Sequence, residues 1–355
     1  MKMNIASIAL LSLCACILDA GAVDWSFYGS ARVKTWYEFK DAADGKSFAD
    51  GDDQDADFDM ALQANSRAGA KVKVNDELSG LAEVAFTESN INIRHLLGCW
   101  NFGPGTLSIG QTYTPISRYD SLRAWGDDSG LQSFGEPYLG RRPLIQLQMQ
   151  GLKLALVKPH TITNLYASNT NLTSEVDNLL PRIEASFQHK IGMFALDLVG
   201  GFHTYEIATP DEDLDVYSYL AGAGFWIKPD PAYLRAIGYY SRNARQFGQF
   251  ISPQPASFGS AKIAEGEIVD NDVLAAALFG GYKFSDKISA EIGYGYSQSE
   301  DDLPGAKAEK WQSYYAQVAF AVYKGISITP EFGVAENVDT HQRTTYVGAK
   351  WQANF

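Results

Sequence analysis

The sequence predicts a sixteen-stranded antiparallel transmembrane β-barrel with one loop folded into its lumen, and three observations carry that expectation. Apolar and polar residues alternate with a period of two through most of the chain, which sorts side chains onto two faces of strands. Tight turns and long polar connections alternate along the sequence, as short turns on one side of a membrane and long loops on the other require. No uncharged run after the N-terminal segment approaches the roughly 18 residues of a spanning helix, although 46% of residues are apolar and 13% aromatic.

At the N-terminus, Lys2 precedes an apolar stretch from Ile5 to Leu18, followed by the small-residue site Ala20-Gly21-Ala22. The stretch is about 14 residues long, short of the roughly 20 that span a bilayer, so residues 1–22 read as a cleaved export signal and 23–355 as one barrel domain. A retained anchor is the alternative, as is a lipid-attachment box over Leu13-Cys14-Ala15-Cys16. The segment holds one Lys and one Asp, so its removal leaves the net charge of −13 unchanged. That acidity argues against nucleic acid as a partner. Removal also takes Cys14 and Cys16, leaving Cys99 with no partner for an internal disulfide.

The first strand, 24–40, sets the pattern. Trp25, Phe27, Gly29, Ala31, Val33, Thr35, Tyr37 and Phe39 share one face; Ser26, Ser30, Arg32, Lys34, Glu38 and Lys40 share the other with Tyr28 and Trp36. The second, 58–74, repeats it with Phe58, Met60 and Leu62 against Asp59, Gln63, Arg67, Lys71 and Lys73. Further strands are expected over 80–88, 91–101, 106–114, 143–150, 152–158, 181–190, 195–207, 216–228, 232–244, 270–284, 288–299, 309–322, 326–336 and 342–355. Within 232–244, Arg235 and Arg242 fall on opposite faces, which asks for a bulge or a strand end beyond the membrane. Long external loops are expected over 41–57, 115–142, 159–180, 246–269 and 300–308. Phe225, Tyr282, Phe284, Phe320, Trp351 and Phe355 lie where an interfacial aromatic girdle would sit.

A barrel of this size is too wide for its side chains to fill, so it encloses water. The run Asn75–Phe86 (NDELSGLAEVAF) and the run Arg94–Pro115 (RHLLGCWNFGPGTLSIGQTYTP) resemble the general, homotrimeric outer-membrane porins of sulfate-reducing bacteria. The ending with Trp351 and Phe355 resembles the C-terminal assembly signal of bacterial outer-membrane barrels. The resemblance implies passive diffusion of small hydrophilic solutes and ions, no enzyme activity, no cofactor and no metal. It also implies a homotrimer in outer-membrane lipid and lipopolysaccharide, inserted by the barrel-assembly machinery. It makes residues 115–142 the constriction loop, with Arg118, Asp120, Arg123, Asp127, Asp128, Glu136, Arg141 and Arg142 as its charged residues. The facing basic wall would be Arg32, Lys34, Arg67, Lys71 and Arg94, Arg32, Arg67 and Arg94 being nearest mid-strand. Four acids against four bases in the loop, with the wall adding bases, lean toward anions such as sulfate, despite the aspartate-rich first loop.

A substrate-specific channel is the main alternative: Trp36, Trp100, Trp125, Tyr113, Tyr119, Phe134 and Tyr138 would supply an aromatic slide for sugars. The five histidines, His95, His160, His189, His203 and His341, sit in no catalytic frame. Small outward groups on strands one to five (Gly29, Ala31, Thr35, Ala64, Ser66, Ala68) suit a subunit interface, with His95 and Cys99 expected to face it.

Overall fold

The computed structural model describes residues 23–44, 57–160, 162, 176–208 and 212–355. The expected export segment and most of the first loop's aspartates lie outside the described residues.

Sixteen antiparallel strands form one closed sheet. They are β1 (Asp24–Asp41), β2 (Asp57–Leu62 continued by Ser66–Lys73), β3 (Leu78–Phe86), β4 (Ile91–Asn101), β5 (Thr106–Tyr113), β6 (Arg141–Met149), β7 (Leu152–Val157), β8 (Arg182–Ile191), β9 (Phe194–Ala208), β10 (Asp213–Ile227), β11 (Ala232–Arg242), β12 (Asn271–Lys283), β13 (Ile288–Asp301), β14 (Glu309–Tyr323), β15 (Ile326–Asn337) and β16 (Arg343–Asn354). Each pairs with the next, and β16 returns to β1 in a register running from Ser30 opposite Asn354 to Asp41 opposite Arg343. Phe355 extends the seam: Gly29 N–H donates to its carbonyl at 2.7 Å and Phe355 N–H donates back at 3.1 Å. The closed ladder leaves no strand edge to meet hydrocarbon.

The outer face is apolar. Phe27, Met60, Ile93, Ile109, Leu198, Leu278, Ile292 and Phe332 are all exposed, as are Phe225, Tyr282, Phe284, Phe320, Trp351 and Phe355. An apolar outer face on a closed sheet fits a bilayer and not water. Periplasmic turns of two to four residues alternate with connections on the other side that include all of the long loops and short ones such as 87–90. Gly151 shows why glycine is needed in one of the shortest: its φ is +87°, and a Cβ there would lie 2.4 Å from the Gln188 carbonyl oxygen.

Two expectations about facing are settled by backbone detail. On β11, Arg235 points inward and is fully buried, whereas Arg242 sits at the external end and pairs with Asp270, Asp272 and Asp302. No bulge is needed; the strand outlasts the membrane. On β4 the expectation is corrected. Glu83 pairs with His95 but the next residue, Val84, pairs with Ile93, so Arg94 is an extra residue in a β-bulge. Arg94 and His95 therefore both point inward, and Cys99 follows His95 onto the lumenal face, 3.4 Å from Ser108 Oγ. The expected outward ring and thiol are inside. Ser66 is likewise sealed in the wall, its hydroxyl donating to the Arg32 carbonyl.

A spin label on Cys99 is expected to be more accessible to a water-soluble relaxation agent than to oxygen in the bilayer. The opposite ranking would remove the bulge and its change of face.

Candidate functional site: the lumen and its inward loop

The connection after β5, L3 (residues 114–140), enters the lumen and walks along the inner wall from β8 to β16. Its own backbone amides do much of the holding, because inward carboxylates on three wall strands accept them. Ile116 N–H donates to Glu184 on β8 at 3.2 Å, and Leu122 N–H to Glu291 on β13 at 2.6 Å. Ala124 and Trp125 N–H donate to Glu331 on β15 at 2.6 and 3.1 Å. Glu291 also accepts the hydroxyls of Tyr233 and Tyr315, and Glu331 accepts that of Tyr346 at 3.0 Å. An amide bonded to a charged acceptor contributes about 1.5–3 kcal/mol, so these few bonds outweigh the loop's exposed contacts.

Charge pairs add further anchors. Arg118 lies 4.0 Å from Asp197, and Asp120 lies 3.0 Å from the buried Arg235, which also bonds Asp197. Glu136 is fully buried within L3, where its oxygens accept the amides of Asp120, Ser121 and Leu131 and the Ser121 hydroxyl. Burial raises the Glu136 pKa above its ordinary value, and these donors partly offset that. Arg123 is buried too, its guanidinium donating to Tyr346 Oη and the Gly130 carbonyl. Arg123 and Glu136 thus shape the loop and do not face the water.

The tip of L3 crosses to the basic wall. Gly126, Asp127 and Asp128 have positive φ, and this left-handed turn aims both carboxylates at β1, β2 and β16. Asp128 bonds Arg32 and takes Lys350 Nζ at 2.8 Å; Asp127 lies 3.7 Å from Lys34. The sequence reading set loop acids across a gap from the arginines, and the structure instead puts Asp128 in contact with Arg32. Arg94 pairs with Glu83, whereas Arg67 reaches Glu83 only at 3.7 Å and keeps 29% side-chain exposure. Lys71 points inward near the periplasmic rim, 5.7 Å from the Tyr28 ring, away from L3. Arg141 and Arg142 open β6: Arg141 stacks 4.7 Å from the Tyr113 ring, and Arg142 bonds the Leu139 carbonyl.

A cavity of about 730 Å³ lies between L3 and this wall and extends toward the periplasmic turns. Arg32, Arg67, Arg94, Lys228, Lys283 and Lys350 line it against Asp120, Asp128, Asp230 and Glu291. The aromatic candidates do not assemble into a track. Trp100 faces outward, Trp36 and Phe134 are buried, and Trp125 stacks on Tyr346 at 4.5 Å; of the seven, only Tyr119 lines the cavity. Sequence reading missed Glu184, Asp197, Glu331 and Lys350. The available signal was a charged residue on the lumenal parity of a strand.

No family model matches the chain, and no curated protein matches it. Solved structures do. The outer membrane channel DcaP of Acinetobacter baumannii superposes with a TM-score of 0.72 at 18% identity, over 94% of this chain and 98% of that one. An anion-selective porin from Comamonas acidovorans gives 0.60 at 12% identity, over 94% and 100%. OmpF of Salmonella typhi, in complex with daunomycin, gives 0.57 at 14% identity, over 92% and 97%. The fold is that of outer-membrane porins and channels, and with its apolar outer belt it places the chain in the bacterial outer membrane.

Glu331→Ala removes the acceptor of two L3 amides and is expected to release about 3 kcal/mol of loop anchoring. Single-channel recordings should then show raised open-state noise, with the heat-modifiable mobility of the barrel retained. Recordings as quiet as those of the parent would contradict the latch.

Proposed function

We propose that the protein is a porin that lets small hydrophilic solutes and ions diffuse passively across the outer membrane, with a preference for anions such as sulfate. The observation that carries this reading is the cavity beneath L3, lined by β1, β2, β4 and β16 on one side and by β10–β15 with their periplasmic turns on the other, where six cationic side chains stand against four anionic ones. In a narrow passage such charges act at short range and with little screening, so the local excess outweighs the acidic balance of the whole chain. Arg67 is the best-placed selectivity residue, since Arg32 and Arg94 each have a close carboxylate partner. Arginine stays charged at any working pH and offers a planar fork to an oxyanion. Polar solutes exchange their hydration for these groups, while apolar solutes lose water without compensation.

A homotrimer is proposed as the assembled form. The outer faces of β1 and β2 combine small residues, Ala31 and Ala68, with exposed Phe27, Phe58 and Met60, which allows close approach of a second barrel. OmpT of Vibrio cholerae, a fold neighbour with a TM-score of 0.58 at 15% identity, was solved in a trimer form.

Liposomes containing the protein are expected to swell in small neutral and anionic solutes at rates that fall with solute size, and Arg67→Glu should lower the rate for anions relative to neutral solutes of equal size. Swelling no faster than in empty liposomes would sink the channel reading; an unchanged anion-to-neutral ratio would remove Arg67 from selectivity. Cross-linking in the native membrane should stop at three chains, and a ladder ending at one would discard the trimer.

A further inference from the structure

The loop between β11 and β12, L6 (residues 243–270), reads in the sequence as an ordinary external loop, but it folds into the barrel. Asn243 starts the inward turn with φ +53°. Its amide donates to the Tyr217 carbonyl and to Asp270 Oδ1, and its Oδ1 accepts Asn271 N–H, so the two ends of the loop are clasped. Phe247 is fully buried against β9, where Gly201 makes room: a Cβ there would lie 2.8 Å from Phe247 Cζ. Arg182, on β8, donates to the Phe247 carbonyl and stacks on its ring at 5.2 Å. Phe247, Ile251 and Phe258 then join Ile116, Leu131 and Phe134 of L3 and inward side chains of β9 to β15 in one buried apolar cluster.

Two glutamines bind the loops to each other. Gln249 accepts Tyr138 N–H at 2.9 Å and donates to the Gln132 carbonyl at 3.0 Å. Gln254 donates to the Ser133 carbonyl at 2.9 Å and to Ser297 Oγ on β13 at 3.2 Å. Gln249 is bonded through both its oxygen and its nitrogen and Gln254 through its nitrogen, so moving either loop would leave several polar groups unpaired.

We infer that L6 is a second pore-filling loop, which with L3 fills the β9–β15 side of the lumen at the depth of the two loops and makes the permeation path eccentric there, along the basic wall of β1, β2 and β4. This deepens the porin reading and rests on it. A hydrated ion has no route through an apolar cluster without shedding its water, whereas Arg67 and Arg94 line open volume beside L3, and that volume widens toward β10–β15 only nearer the periplasmic turns.

The test replaces residues 246–258 of the full-length protein with a short Gly-Ser linker and records single channels in planar bilayers. Conductance is expected to rise about two-fold or more, with a larger polyethylene glycol cut-off, because a sixteen-stranded lumen is much wider than L3 alone can block. An unchanged conductance and cut-off in folded, heat-modifiable protein would overturn the inference. Single cysteines in a Cys99→Ser background give a readout that spares the loop. A charged thiol reagent should block current through Arg67→Cys and leave Phe258→Cys untouched; block at Phe258→Cys overturns the eccentric path. If the parent protein itself carries no current, the porin reading falls and this inference with it, which is distinct from a conducting parent whose current ignores L6.

Discussion

The rest of the structure depends on the seam between β1 and β16. In hydrocarbon, each unpaired backbone N–H or C=O costs several kcal/mol, so a sheet can cross a bilayer only if it has no edge. The ladder from Ser30–Asn354 to Asp41–Arg343, extended by the Gly29–Phe355 pair, removes that edge. Closure at sixteen strands then fixes a lumen wider than inward side chains can fill, and everything inside answers to that width.

Two loops answer it by different chemistry. L3 is held through its amides by carboxylates that the wall presents at Glu184, Glu291 and Glu331, each itself supported by tyrosines or an arginine. L6 is held by aromatic burial and by glutamines that bond L3. Away from bulk water, a carboxylate with several donors is stabilised where an unpaired one would be costly. At the depth of the two loops, the arrangement leaves a packed side and a charged, open side. In the proposed function, the charged groups that solutes meet are Arg67, Arg94 and the Arg32–Asp128–Lys350 group.

How much of this was legible in the sequence differs by level. The strands were, because a period of two survives through most of the spanning segments, as in Trp25 to Phe39 or Ile288 to Tyr296, and the observed bounds fall within a few residues of those expected. The parity of Arg32, Lys34 and Arg67 followed directly, while that of Arg235 was left open against Arg242. The face of His95 and Cys99 did not, since one inserted residue at Arg94 reverses the alternation, and an insertion of one has no compositional mark. L6 was also illegible. Its inward residues, Phe247, Ile251 and Phe258, are spaced irregularly among Gln, Ser, Pro and Gly, and only the glycine at position 201 across the lumen shows that a ring fits there. In L3 the eight charges were visible, but their partners were not: whether Asp128 faces Arg32 across water or touches it depends on three consecutive left-handed residues at 126–128. Long-range pairing of charges is a property of the closed barrel, and local pattern carries no trace of it.

The measurement that tests the central claim most directly is the reversal potential of the reconstituted wild-type protein across a KCl gradient in a planar bilayer. The basic excess around the cavity predicts a potential displaced toward the chloride equilibrium value. A displacement toward the potassium value would contradict the account, because the acidic loops, and not the wall facing L3, would then govern passage.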